Sequence, residues 1–199
     1  MKKYNIIYAD PPWHYKTYSS KGQSRSAERH YPTMNPDEIK RLPVADLAET
    51  DCALFMWITF PFLHEAINVL RAWGFTYKTV AFVWIKLNKK QPTPFTGMGY
   101  WTRSNAEICL LATKGSPKRI SANVHQVIMA PIQEHSKKPD EARERIVQLM
   151  GNLPRIELFA RQQTDGWDSW GNEVPVTPEL ERWYTTSLST TKLTEKLLV

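Results

Sequence analysis

Tyr4-Asn5-Ile6-Ile7-Tyr8-Ala9-Asp10-Pro11-Pro12-Trp13 is a run of strand-forming residues that stops at an acid and two prolines. Aromatic and β-branched side chains suit a pleated, buried strand. Consecutive prolines lack the N–H groups a sheet ladder needs, so pairing cannot continue past Asp10. The reading is a short core strand that delivers Asp10 to its carboxyl end.

Working outward, residues 14–34 read as a long polar loop, a length uncommon unless the loop has a function. Asn35-Pro36-Asp37-Glu38 is a helix start, with an Asn cap, Pro in the first position and Glu three residues after the cap. That helix is expected to run to about Leu47. Cys52 to Ile58 is a continuous apolar run of strand length, the pattern of a strand buried on both faces. A helix follows from Pro61, with Phe62, Ala66, Ile67, Leu70 and Trp73 at helical spacing, and Gly74 stops it. Thr76 to Ile85 and Glu107 to Thr113 read as strands, joined by a basic Pro/Gly-containing loop over 86–105. Pro139 to Met150 reads as a helix and Arg155 to Ala160 as the last core strand. Strands alternating with helices predict an α/β domain with a mostly parallel sheet, in which ligands bind at the carboxyl ends of the strands. Asp10, Thr59 and Arg161 should then share one edge. A single domain over 1–174 is expected, with a tail at 175–199 that is partly helical or disordered.

The 199 residues suffice for one full core, and 42% hydrophobic with 23% charged residues is an ordinary globular balance. No segment approaches the roughly 20 apolar residues of a membrane span, and no secretory signal precedes the first strand. The expectation is a cytoplasmic protein with no membrane partner. Cys52 and Cys109 each sit in an apolar run, without the close Cys or His neighbours of a zinc site, so no metal is expected. The net charge of +6 favours a polyanionic partner. Lys16, Lys21, Arg25 and Arg29 fall in one Ser-rich stretch directly after the Asp-Pro-Pro-Trp motif, placed to bind a phosphate backbone beside it.

The motif itself suits a particular chemistry. An amine on an aromatic ring is a poor nucleophile because its lone pair is delocalised. Two acceptors aimed at its N–H bonds hold it in line and favour a more tetrahedral nitrogen. Asp10 can be one and the Pro11 carbonyl the other, since Pro11 and Pro12 lock φ and fix where the carbonyls point. Trp13 offers a face for an extruded base, worth roughly 1–3 kcal/mol of stacking.

Further motifs accompany it: Tyr31-Pro32-Thr33-Met34, Leu54-Phe55-Met56-Trp57, Phe82-Val83-Trp84-Ile85-Lys86, Gly99-Tyr100-Trp101, Glu107-Ile108-Cys109-Leu110, His135 to Glu141, Ile156 to Arg161 and Trp170-Gly171-Asn172-Glu173. In this order they resemble the adenine methyltransferase family typified by the catalytic subunit of messenger-RNA adenosine methyltransferase, over about Tyr4 to Glu173. The resemblance implies a Rossmann-like, circularly permuted S-adenosylmethionine-dependent methyltransferase fold. It implies methyl transfer from S-adenosylmethionine to the exocyclic amine of adenine in a nucleic acid. By it, Asp10, Pro11, Pro12 and Trp13 are catalytic, and Tyr31, Trp57 and Glu107 lie at the target base. Lys138 would meet the methionyl carboxylate, Glu157 and Arg161 the ribose, and Asn172 and Glu173 would complete the cofactor pocket. In place of a glycine-rich loop the chain has Glu157 to Arg161, as the family permits.

Two other classes fit parts of the pattern: an inactive nucleic-acid-binding scaffold subunit and a protein glutamine methyltransferase. The intact Asp10-Pro11-Pro12-Trp13 argues against the first, and Tyr31, Trp57 and the basic loops against the second. A compact bacterial or phage-like chain favours DNA over RNA. With eight tryptophans, some are expected outside the core, which fits a homodimer or a partner subunit.

Overall fold

The computed structural model describes residues 1–14, 33–99, 101–133 and 137–185. Tyr31, Lys16, Lys21, Arg25 and Arg29 lie outside the described residues, as do Tyr100 and His135. One seven-stranded sheet runs in the order β5-β3-β4-β2-β1-β6-β7. Its strands are β1 (Tyr4–Ala9), β2 (Ala48–Ile58), β3 (Thr76–Leu87), β4 (Ala106–Lys114), β5 (Val127–Pro131), β6 (Arg155–Leu158) and β7 (Asp168–Trp170). Four of the six strand pairings are parallel; β4 alone runs antiparallel, between β2 and β3. The last core strand, β6, lies beside the first, β1, which is the permuted Rossmann-like order.

The apolar runs are continuous because both faces of the sheet are covered. Ile7, Ala9, Leu54, Met56 and Ile58 enter one core cluster, and Ile6, Tyr8, Ala53, Phe55 and Trp57 the other. Successive residues point to opposite faces, so a strand covered on both sides has no polar alternation. Helices α1 (Pro36–Lys40), α2 (Val44–Leu47) and α3 (Leu63–Ala72) cover the first face, and α4 (Glu141–Met150) covers the second.

The capping box at Asn35 forms as expected, with Asn35 Oδ1 accepting from Glu38 N at 2.9 Å and Glu38 Oε2 accepting from Asn35 N at 2.8 Å. The helix does not run unbroken to Leu47. Pro43 has no N–H to donate and splits it into α1 and α2. A 3-10 turn at Phe60–Phe62 precedes α3, and Gly74, at φ +80°, ends that segment in the left-handed region. Strand β6 stops at Leu158, two residues short of expectation, because Phe159 adopts φ +61°.

The hydrophobic core does not stop at 174. Residues 178–185 are helical, and Leu180 and Trp183 are buried in the first core cluster. The Trp183 ring meets Trp170 edge-on at 5.3 Å, and its Nε1 donates to Pro43 O at 3.1 Å. Cys52 and Cys109 are both fully buried free thiols. No helix among the described residues is long and apolar enough to cross a membrane.

Candidate active site

Register places the site. Ala9 pairs with Met56 of β2 on one side and Leu158 of β6 on the other, so Asp10 emerges between two parallel strands at their carboxyl ends. The turn that follows is built by proline. Trp13 N donates to Pro11 O at 2.9 Å across Pro12, and Met34 N donates to Pro12 O at 2.8 Å. Proline's fixed φ is near the value the centre of such a three-residue turn requires. The Pro11 carbonyl, expected to accept from the target amine, therefore already holds one donor; its direction is fixed and one lone pair is left.

Trp13 is not an open platform. Its indole is only 8% exposed, stacks on Phe62 at 5.5 Å and donates from Nε1 to Trp57 O at 3.3 Å. It braces the turn against the end of β2, and little of its face is left for a base. Trp57, expected near the target base, lies beneath the Asp10–Lys138 pair. It is fully buried, with Nε1 donating to Tyr8 Oη at 2.6 Å.

Lys138, expected to meet the methionyl carboxylate, stands just before α4. Its ammonium is buried, 2.8 Å from Asp10 Oδ2 and 3.3 Å from Glu107 Oε2, with the Trp57 ring 5.9 Å away. Glu107 Oε1 in turn takes Lys86 Nζ at 2.5 Å. Two acids and two lysines thus alternate along one line. Burial opposes the Lys138 charge, but Asp10 and Glu107 outweigh it and hold its pKa above the ordinary lysine value. Burial also pushes on Glu107, but Lys138 and Lys86 bring it below the usual carboxylate range. Asp10 goes the other way: burial raises it more than Lys138 lowers it. About a quarter of its side chain still meets solvent, at 26% exposure, so that upward push is smaller than in a closed core.

On the other side of β1 lies a second acid. Glu157 on β6 is 8% exposed, and its Oε2 accepts from Arg143 Nε at 2.8 Å. Arg143 reaches Asp140 Oδ1 at 3.0 Å and lies 5.8 Å from the Tyr8 ring. Burial raises Glu157, and Arg143 opposes that rise. The Asp10 charge adds to the rise of Glu157, and Arg161 counters that of Asp10; the two acids lie near the carboxyl ends of the neighbouring parallel strands β1 and β6.

Sequence reasoning missed Arg143 and Lys86. A signal for Arg143 existed: it is a cation on the buried side of α4, beside Ala142 and three residues before Ile146.

The crevice rim is backbone-lined and strained. Phe159 holds a left-handed φ directly beside Asp10, a conformation that costs of order 1–3 kcal/mol and persists only where packing fixes it. Its ring meets Trp170 edge-on at 5.5 Å. Gly171 passes so close to Ala160 that an added Cβ would overlap the Ala160 carbonyl oxygen. Arg161 Nε and Glu173 Oε1 pair at 2.9 Å just beyond, and Asn172 is exposed next to them. A buried acid flanked by tight backbone, the Phe159 ring and an exposed polar rim fits a nucleoside: ribose hydroxyls on the acid and a base along the rim. Thr164 Oγ1, buried and without a partner, follows the same strand end. These residues fit S-adenosylmethionine.

The MT-A70 family model matches residues 4–173. The chain belongs to the MT-A70 family. It is similar to the type II methyltransferase M.MunI of Mycoplasma sp, at 38% identity over 87% of this chain and 79% of that protein. It is similar to an N(6)-adenosine-methyltransferase MT-A70-like protein of Arabidopsis thaliana, at 34% identity over 86% of this chain. A Homo sapiens N(6)-adenosine-methyltransferase catalytic subunit matches at 31% over the same share. The chain spans 24% and 28% of the length of those two eukaryotic relatives.

Proposed function

We infer that this chain is an S-adenosylmethionine-dependent methyltransferase acting on the exocyclic amine of adenine in a nucleic acid. The observation that carries it is Asp10, held by buried Lys138 at the carboxyl end of β1 and one strand away from Glu157. Family membership over residues 4–173 supports the same chemistry. We take DNA to be the polymer, as the chain spans most of the type II methyltransferase and about a quarter of the N(6)-adenosine enzymes. A cytoplasmic setting goes with that reading.

In this reading the residues divide into two groups. Lys138 takes Asp10 Oδ2 and leaves Oδ1 to accept one N–H of the target amine. The remaining lone pair of the Pro11 carbonyl accepts the other. Glu107 keeps Lys138 charged, and Trp57 lies beneath both, so the acceptor pair is rigid before substrate arrives, and such positioning supplies much of the rate. Arg143 fixes Glu157 so that Oε1 faces ribose hydroxyls, with Arg161, Asn172 and Glu173 along the rim. Lys138 is thereby a positioning residue on the acceptor side. Bound cofactor supplies an electrophilic methyl on a sulfonium. Asp10 Oδ1, already accepting from the amine, is placed to take the proton that the amine would give up on methylation and to pass it to water. A target in duplex DNA must first be flipped out, at a cost of a few kcal/mol.

The test is transfer from isotopically labelled cofactor to duplex DNA, single-stranded DNA and RNA, read by nucleoside mass spectrometry. Methylated adenine is expected, with Asp10→Ala abolishing product while cofactor affinity stays close to wild type. Product persisting in that variant sinks the mechanism. Methylated glutamine without methylated adenine sinks the substrate.

A further inference from the structure

The segment between β3 and β4 rises from the same sheet edge as Asp10. Strand β4 is antiparallel to both β2 and β3, so β2 and β3 run the same way as β1 and end on one side. Lys86, at the root of this segment, pairs with Glu107, which shares Lys138 with Asp10. The segment is pinned. Phe95 N donates to Lys86 O at 2.8 Å, Gly97 N to Ser104 O at 2.8 Å, and Asn88 Nδ2 to Thr93 Oγ1 at 2.9 Å. From this held base Trp101 projects with its side chain wholly in solvent, at 100% exposure, and Met98 of the same segment is 61% exposed.

Its chemical surroundings choose between occupants. Lys89, Lys90 and Arg103 are exposed on the segment, and residues 88–105 contain no Asp or Glu. Two copies of such a loop repel each other, whereas a phosphate backbone is drawn to it. A flat aromatic face among unopposed cations is how proteins hold unpaired nucleotides without reading their sequence. We propose that Trp101 is a stacking platform for an unpaired base flanking the target adenine, with Lys89, Lys90 and Arg103 on the adjoining phosphates. The proposal rests on the nucleic-acid substrate inferred above and adds where its flanking nucleotides lie.

The test uses the full chain with a short fluorescein-labelled, adenine-containing single-stranded oligonucleotide, as DNA and as RNA, read by anisotropy. Trp101→Ala should weaken binding about 5- to 160-fold, the range of a lost base–aromatic stack, while Trp101→Phe stays within about threefold. Trp101→Ala should leave cofactor affinity and the slope of log affinity against log salt unchanged; replacing Lys89, Lys90 and Arg103 with Ala should flatten that slope. Wild-type affinity in Trp101→Ala overturns the proposal, as does an equal loss in Trp101→Phe. So does sedimentation showing a wild-type dimer that Trp101→Ala splits into monomers, which would make the indole a protein contact. If wild-type protein methylates no adenine in any polymer, the substrate reading fails. If it does so and Trp101→Ala binds normally, the stacking role alone fails.

Discussion

At Lys138 one ammonium serves two carboxylates, and only one of them touches the reaction. Asp10 has its pKa raised by burial and lowered in part by Lys138. Methyl transfer should therefore fall on the acid side, as pH drops through an Asp10 pKa that lies above the ordinary aspartate value. Removing the neighbouring positive charge disfavours the carboxylate further, so Lys138→Met should move that limb of the kcat profile to higher pH. Lys138→Arg, which keeps the charge, should leave the limb near its original position. An unmoved limb in the methionine variant would show that Lys138 does not set the ionisation of Asp10. The four-residue motif was readable because prolines leave few local options. The partner of Asp10 was not, since 128 residues separate it from Lys138 and only the sheet brings them together.

Among the elements, α4 and β6 are joined by the Arg143–Glu157 pair, and it is buried on both sides. Removing one member of a buried pair strands the other charge, at about 3–5 kcal/mol. Arg143→Met should lower unfolding stability by that order in urea titration, and Arg143→Met with Glu157→Gln together should recover part of it. Strictly additive losses would mean the two side chains are energetically independent. The long strands β2 and β4 were legible from their apolar runs and α1 from its capping box. Strand β7 was not: three residues, Asp168–Trp170, show no period, and only pairing with β6 makes them a strand. Strand β5 is a sheet edge with Val127 and Met129 exposed and Ile128 buried; its apolar residues do not alternate with polar ones, so the sequence hides the one-sided burial that marks a strand.

For the whole molecule, the core boundary matters more than the domain boundary read from composition. The polar residues after Val174 read as a tail, yet Trp183 closes the first core face over Trp170. Trp183→Ala should cost about 3–5 kcal/mol, the range for truncating a buried tryptophan, measured as a lowered urea midpoint. A change within about 0.5 kcal/mol, typical of surface sites, would mean the helix at 178–185 is not docked in solution.

The two cysteines carry a practical consequence. Both thiols are enclosed in the sheet, and burial pushes Cys52 up to about 12 and Cys109 well above its usual value. Only the thiolate reacts, so the native protein should be silent to a thiol-specific dye until it unfolds, when both sulfurs should react together. Their modification rate under mild denaturant is then a direct clock for opening of the sheet. A cysteine placed on the surface would be the sole attachment point for a reporter, with no native residue needing removal. A fluorophore at Lys118, exposed on a connection far from the Asp10 motif in sequence, would make the natural protein its own scaffold for single-site labelling.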